Sequence, residues 1–346
     1  MKLKDFDYCL PEALIAQEPS PARDQSRLMI IDRKRGSIHH SIFNTLDRHL
    51  IKGDVLVINN SRVIPARLTG RKETGGKVEI LLLTRKNAAA SRKQTWEALL
   101  RPAKSLRTGM EICLTEGCQA KILDRITEKK WLLEFTASLP FDDFIDSFGR
   151  PPLPPYIKRK DHQEKFLTDR ERYQTIYAQV KGSVAAPTAG LHFSPEVMAA
   201  LQGGGISIAR VTLHVGYGTF HPVETEHVED HRMEEEHYEI SSEAAEIINN
   251  AGRVIAVGTT CTRTLEGAAD ERGRITPGRS STDLFIYPGY RFKRVDALLT
   301  NFHLPKSTLY LLVCAFAGAD LIQEAYRRAI EERYRFYSYG DCMLIL

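Results

Sequence analysis

Apolar side chains recur in two rhythms along the chain, and the change of rhythm divides it. Asp54-Val-Leu-Val-Ile-Asn59 is an unbroken, largely β-branched run closed by polar residues, which predicts a buried strand. From Ala66 to about Leu139, short β-forming runs alternate with Gly, Asn, Lys and Thr turns: Lys77–Leu83, Thr95–Leu100, Met110–Leu114, Lys121–Ile126 and Trp131–Phe135. Their near-regular spacing predicts a small all-β barrel or sandwich. The prolines of Gly149-Arg-Pro-Pro-Leu-Pro-Pro-Tyr-Ile157 suit neither a helix nor a central strand and mark a boundary.

Beyond that boundary strands and helices alternate. Helices are expected over Glu171–Gln179, over Ser194–Gln202 with Ser194 as N-cap and Pro195 in the first turn, over Ser241–Ala251 and over Asp320–Arg333. Strands are expected over Ile206–Leu213, Arg253–Val257 and Ala297–Asn301. The fold class this implies is α/β: a mixed-sheet α/β domain, residues 1–65 and 150–346, interrupted by a small all-β barrel domain, residues 66–149.

Composition adds bounds. A chain of 346 residues exceeds the ~100–200 of one usual domain, and 42% hydrophobic with 27% charged residues excludes a disordered or fibrous chain. The N-terminus lacks the apolar core of a signal peptide, and the run Leu309–Gly318 is shorter than the roughly 20 residues of a membrane helix, so a cytoplasmic location is expected. Six scattered cysteines predict free thiols, and no heptad or long apolar stripe argues against a monomer. A net charge of +4 permits a polyanionic partner without demanding one.

Candidate chemistry concentrates where histidine meets glycine. His192, His214, His221, His227, His231 and His237 crowd one stretch that includes Ala186-Pro-Thr-Ala-Gly-Leu-His-Phe193 and Leu213-His-Val-Gly-Tyr-Gly-Thr-Phe-His-Pro222. Small residues beside proton carriers let a ligand approach the backbone. Gly258-Thr-Thr260 follows a buried strand and opens a helix, a place for a carboxylate or phosphate or simply a capped turn. His303 follows the strand ending at Asn301, and Ser307 or Thr308 caps the next helix. Glu229-Asp-His-Arg-Met-Glu-Glu-Glu-His-Tyr238 has metal-binding residue types but no His-Glu-x-x-His spacing, and reads as a solvated face. Dinucleotide, Walker and serine-hydrolase signatures do not occur.

The segments together resemble the S-adenosylmethionine:tRNA ribosyltransferase-isomerases of queuosine biosynthesis. The resemblance is carried by Phe6-Asp-Tyr8, Ile15-Ala-Gln-Glu-Pro19, Arg23-Asp24, Ser26-Arg-Leu28, Asn59-Asn-Ser-Arg-Val-Ile-Pro-Ala-Arg67 and Pro187-Thr-Ala-Gly-Leu-His-Phe193. It continues through Leu213-His-Val-Gly-Tyr-Gly-Thr-Phe220, Val257-Gly-Thr-Thr260 with Arg263, Thr282-Asp-Leu-Phe-Ile-Tyr-Pro-Gly289, Thr300-Asn-Phe-His-Leu-Pro305 and Tyr334-Arg-Phe-Tyr-Ser-Tyr-Gly-Asp341. Glu234 stands where the family usually has histidine, and Ser281 where it often has tryptophan.

The resemblance implies that S-adenosylmethionine, as a consumed substrate and with no recycled cofactor or metal, donates its ribosyl part to 7-aminomethyl-7-deazaguanine at the wobble position of a tRNA with a GUN-type anticodon. Adenine and methionine leave, and epoxyqueuosine results. Candidates for the acid and base are His192, His214, His303, Asp283, Asp341 and Glu236. Substrate contacts are expected from Pro187, Thr188, Gly190, Gly216, Gly218, Arg263 and Asn301, with Gly258, Thr259 and Thr260 holding a carboxylate and Phe193, Tyr217 or Phe220 stacking on a base. Arg62, Arg67, Lys158, Arg159 and Lys160 are the expected rim for the anticodon loop. Two rivals are a catalytically silent RNA-binding module and a metal-dependent hydrolase built on the acidic histidine segment.

Overall fold

The computed structural model describes residues 1–87, 92–115, 117–159, 163–216 and 223–346. In chain order its first elements are β1 (Arg27–Asp32), β2 (Ser37–Ile42), β3 (Asp54–Asn59) and the short β4 (Ser61–Val63). Six strands follow: β5 (Arg67–Lys72), β6 (Lys77–Arg85), β7 (Lys93–Arg101), β8 (Glu111–Thr115), β9 (Cys118–Arg125) and β10 (Lys130–Ala137). Then come α1 (Phe141–Phe148), α2 (Gln163–Arg172), β11 (Val180–Ser183), α3 (Pro195–Gly203), β12 (Ser207–Leu213), β13 (Glu236–Ile240) and α4 (Ser242–Asn249). The chain ends with β14 (Arg253–Val257), α5 (Gly258–Ala268), β15 (Gly278–Thr282), β16 (Ala297–Asn301), α6 (Thr308–Ala317), α7 (Ala319–Glu331) and β17 (Cys342–Ile345).

Nine strands make one mixed sheet in the order β15-β13-β12-β3-β14-β16-β17-β1-β2. Its centre, β12, β3, β14 and β16, is parallel, and antiparallel partners flank it on both sides. The unbroken apolar runs have a simple cause. Val55, Val57, Val254 and Ala256 point into one core, while Leu56, Ile58, Ile255 and Val257 point into another on the opposite face. Both faces are covered, so every position must be apolar. The run Leu309–Gly318 forms α6 and the turn after it. Residues of α6 pack in the first core, and among the described residues no single helix is long and apolar enough to cross a membrane.

Strands β5 to β10 close an antiparallel barrel in the order β10-β7-β6-β5-β8-β9. Alternate side chains fill it, Trp131, Leu133 and Phe135 from β10 among them, and α1 seats Phe141 against Phe135 with ring centres 4.6 Å apart. The barrel therefore owns a hydrophobic core distinct from those of the sheet.

Two expectations need correction. The helix expected over Glu171–Gln179 is displaced: α2 ends at Arg172, and the chain beyond buries Tyr173, Thr175 and Tyr177 at every second position, a period that no helix face supports. Strand β13 begins inside the acidic segment expected to be a solvated face and runs past it, with Glu236, Tyr238 and Ile240 buried and His237 and Glu239 exposed. Two N-caps fall where the sequence offers them, Ser194 on α3 and Ser307 rather than Thr308 on α6, and Ser241 adds a third on α4; each accepts a backbone N–H from the first turn of its helix.

Candidate active site

The parallel strands β14 and β16 end side by side, and a cleft opens at their carboxyl ends. Gly258 makes the turn out of β14 with φ +85°, a backbone region that suits glycine. It starts α5 directly, so the helix has no side-chain cap, and its first N–H groups and the positive end of its dipole border the cleft beside Thr259 and Thr260. The Thr260 hydroxyl is buried and has no hydrogen-bond partner among the described residues. A polar atom buried without a partner costs free energy that an anionic ligand would recover.

Asn301 closes β16 and lines the cleft, its amide fixed on both sides. Its Oδ1 accepts from the Thr188 hydroxyl at 2.9 Å, and its Nδ2 donates to His192 Nε2 at 3.0 Å. His192 Nδ1 then carries the proton and donates to Ser26 Oγ at 2.6 Å. Burial, reinforced by Arg335 and Arg23 nearby, pushes the imidazole down to about 3, so it stays neutral. Both nitrogens are committed. His192 positions Asn301 from behind and does not line the cleft.

His303 does line it. Its Nε2 meets Thr300 Oγ1 at 2.9 Å, its backbone N–H donates to the Tyr326 hydroxyl at 3.0 Å, and its carbonyl accepts from Tyr8. Nδ1 has no partner among the described residues. Burial pushes this imidazole also down to about 3, so it is a neutral proton acceptor held by its backbone and one nitrogen.

Two tyrosines complete the wall. Tyr156 and Tyr337 stack with centres 4.4 Å apart and planes 27° from parallel. Tyr337 holds φ +73°, a conformation that a bulky residue adopts only where its surroundings impose it. Its buried hydroxyl lacks a partner among the described residues, while Tyr156 bonds Ser338 at 2.6 Å. Neither tyrosine was singled out from sequence. Tyr156 sits in the proline-rich boundary and Tyr337 within Tyr334–Asp341, and neither carries a chemical cue of its own in sequence.

Val215 borders this cleft and a second, larger one between barrel and sheet. His214 and Gly216 line the second, as do Glu234, Glu235, Glu236 and His237. His214 packs on Gly182, where an added Cβ would fall 2.8 Å from the ring, and burial and then His237 lower its pKa. Gly216 N–H donates to Glu236 at 3.0 Å, and Glu236 forms a buried ion pair with Arg263, whose Nε reaches the Leu284 carbonyl at 3.1 Å. Glu236 and Arg263 thus lock β13 to α5. Among the described residues no group of three or more His, Cys, Asp or Glu side chains is placed to hold a metal ion.

Other expected site residues fall elsewhere. Pro187 joins Thr188 in the first cleft. Phe193 is fully buried against Phe43 and Tyr177, leaving no ring face for a base. Gly190 packs under Tyr177, where a Cβ would meet the hydroxyl at 2.2 Å. Asp341 is buried and accepts the backbone N–H groups of Arg27 and Arg335, and Asp283 is exposed outside both clefts. Tyr217, Gly218, Phe220 and Lys160 lie outside the described residues.

The expected basic rim is uneven. Arg62 is exposed on β4, but Arg67 pairs with Glu79, and Lys158 pairs with Glu12 at 2.5 Å on the surface. Arg159 is a structural residue. Its side chain is 7% exposed and grips Asp169 bidentately at 2.7 and 2.8 Å, which leaves nothing for a phosphate.

Known proteins match this chain along its whole length. A family profile described as "Queuosine biosynthesis protein" matches residues 3–345. The S-adenosylmethionine:tRNA ribosyltransferase-isomerase of Syntrophus aciditrophicus is 56% identical and that of Pelobacter propionicus 50% identical, each aligned over the whole of both chains. The crystal structure of S-adenosylmethionine tRNA ribosyltransferase from Thermotoga maritima is 38% identical, with a TM-score of 0.55 over 99% of this chain and 100% of that one. The chain belongs to the queuosine biosynthesis protein family.

Proposed function

We propose that this chain performs the reaction its relatives are named for, as a tRNA ribosyltransferase-isomerase that consumes S-adenosylmethionine. The acceptor in this reading is 7-aminomethyl-7-deazaguanine at the wobble position of a tRNA with a GUN-type anticodon. The ribosyl part is transferred and rearranged to give epoxyqueuosine, with adenine and methionine released.

The observation that carries the reading is the pairing, in one cleft, of an uncapped helix N-terminus bearing an unpartnered hydroxyl with a neutral, clamped imidazole. The methionine carboxylate takes the α5 N-terminus with Thr259 and Thr260. His303 accepts the proton on the carbon beside the sulfonium, which the positive sulfur acidifies. The stacked faces of Tyr156 and Tyr337 supply an aromatic wall suited to a sulfonium or a base. Asn301, oriented by His192 and Thr188, supplies a fixed amide. Residues 66–149 act as an inserted barrel domain in the same reading.

The test is incubation of the purified chain with S-adenosylmethionine and tRNA bearing the aminomethyl-deazaguanine base, followed by mass analysis of nucleosides and small products. Epoxyqueuosine with free adenine and methionine is expected. A folded, tRNA-binding protein that yields no modified nucleoside would return the silent RNA-binding reading.

A further inference from the structure

A small recess lies behind the cleft, and Arg23, Arg172 and Arg335 converge on it from three distant parts of the chain. What orients these guanidinium groups is main-chain carbonyl oxygen. Arg23 donates to the carbonyls of Leu191 at 3.2 Å and Glu171 at 3.0 Å, and Arg172 to those of Pro21 at 3.2 Å and Ser20 at 2.6 Å. Arg335 donates to the Glu18 carbonyl at 3.3 Å. Carbonyls aim a guanidinium without neutralising it.

Nearby carboxylates are mostly committed elsewhere. Asp341 lies 3.8 Å from Arg335 Nε but already accepts two backbone N–H groups, Glu18 faces Lys165 and Arg159, and Asp24 takes the Ser194 hydroxyl. Exposed Glu171 offsets the mutual repulsion of Arg23 and Arg172 only partly, and burial and Arg172 together still hold Arg23 below the usual guanidinium range. Arg172 Nε is buried with no hydrogen-bond partner among the described residues. The neighbouring His192 adds an uncharged ring. The larger cleft is built the opposite way: Arg85, Lys86, Lys130 and Lys181 each face a carboxylate there, Asp142, Glu97, Glu234 and Asp146.

Positive charge that is oriented, part-buried and only partly neutralised, three guanidinium groups against Asp341 and exposed Glu171, is what an oxyanion site requires. Ser338 lines both recess and cleft, so the two spaces back onto one another through a single residue. A base splayed out of an RNA loop into the cleft brings its own phosphates with it. We infer that Arg23, Arg172 and Arg335 hold a backbone phosphate of the RNA substrate, an assignment that rests on the RNA-modifying reading above.

The experiment titrates unmodified tRNA, without S-adenosylmethionine, into the full chain and into Arg172→Gln, Arg23→Gln and Arg172→Lys across a salt series. Each glutamine variant should weaken binding about tenfold. It should also flatten the dependence of log K on log salt by about 0.7 for each lost phosphate contact. Arg172→Lys should keep the slope, because the charge remains. The KM for S-adenosylmethionine should move by less than about twofold in every variant. Folded variants with wild-type affinity and slope would overturn the assignment, even if calorimetry showed inorganic phosphate entering the recess. If Arg172→Gln does not fold, Arg23→Gln decides the same question. Binding needs no turnover, so an arginine-dependent slope in a protein that modifies no nucleoside would support the pocket and sink the reaction.

Discussion

At the scale of single residues, the site is defined by groups left without partners or without protons. Thr260 is the clearest. Its buried hydroxyl satisfies nothing in the described structure, so Thr260→Val should leave thermal stability unchanged or slightly raised. A hydrogen bond to a carboxylate is worth about 1.5–3 kcal/mol, so the same substitution should raise the KM for S-adenosylmethionine about tenfold or more. An unchanged KM would remove the carboxylate from the α5 N-terminus. His192 and His303 make a second, pH-dependent statement. Unfolded imidazole takes up a proton near 6.5, whereas both native rings resist to about 3. Between those values the unfolded chain binds more protons, so stability falls as pH drops through that window, with a slope approaching about 1.4 kcal/mol per pH unit for each ring. Urea unfolding at pH 7 and pH 5 should show this loss, and His192→Gln should make it shallower. A slope identical in the variant would mean that His192 is not held neutral.

At the scale of elements, the turn from β14 into α5 is where backbone geometry and chemistry coincide. A Cβ on Gly258 would lie 3.5 Å from Ala189 and 3.6 Å from Thr260 Oγ1, ordinary contacts, so the cost of Gly258→Ala is the φ of +85° itself. That cost is about 1–3 kcal/mol, and relieving it rotates the first turn of α5 away from the cleft. The variant should lose that much in urea unfolding and bind S-adenosylmethionine more weakly. Lost stability with unaltered binding would show that the turn serves the fold alone. The same element was legible in sequence, because a buried apolar run followed by Gly-Thr-Thr carries its own boundary. The caps at Ser194 and Ser307 were legible for the same reason, each being decided within four residues. Strand β13 was not, because its first buried position is Glu236, and burying that carboxylate depends on Arg263 in a helix packed across the sheet. The Tyr156–Tyr337 stack was hidden likewise: tertiary structure, which local pattern does not encode, brings the two rings together. Phe193 and Arg159 mark the converse failure, where chemically suggestive side chains are consumed by the core and by Asp169.

At the scale of the whole molecule, the question is what the barrel contributes. Arg67 and Arg150 bond each other both ways, N–H to carbonyl at 3.1 and 2.9 Å, so the chain enters and leaves the barrel at one place. The barrel has its own core, and among the described residues those lining the first cleft run from Tyr156 to Ser338 with none from 66–149. Replacing residues 68–149 with a short Gly-Ser turn should therefore yield a folded sheet body. It should be less stable, since Ile64 and Val184 lose the apolar cover of the barrel core, at about 1.5–3 kcal/mol for each side chain fully exposed. Its affinity for S-adenosylmethionine should match that of the intact chain, because every group assigned to that ligand remains. The salt dependence of tRNA binding should persist as well, since the arginine recess is intact and the barrel cations removed from the larger cleft were already paired with carboxylates. Equilibrium dialysis with labelled S-adenosylmethionine and a salt titration with tRNA would read the two separately. A folded body that no longer binds S-adenosylmethionine would make the barrel part of the active site. One that binds it but has lost the salt-dependent tRNA affinity would move the RNA surface from the sheet to the barrel.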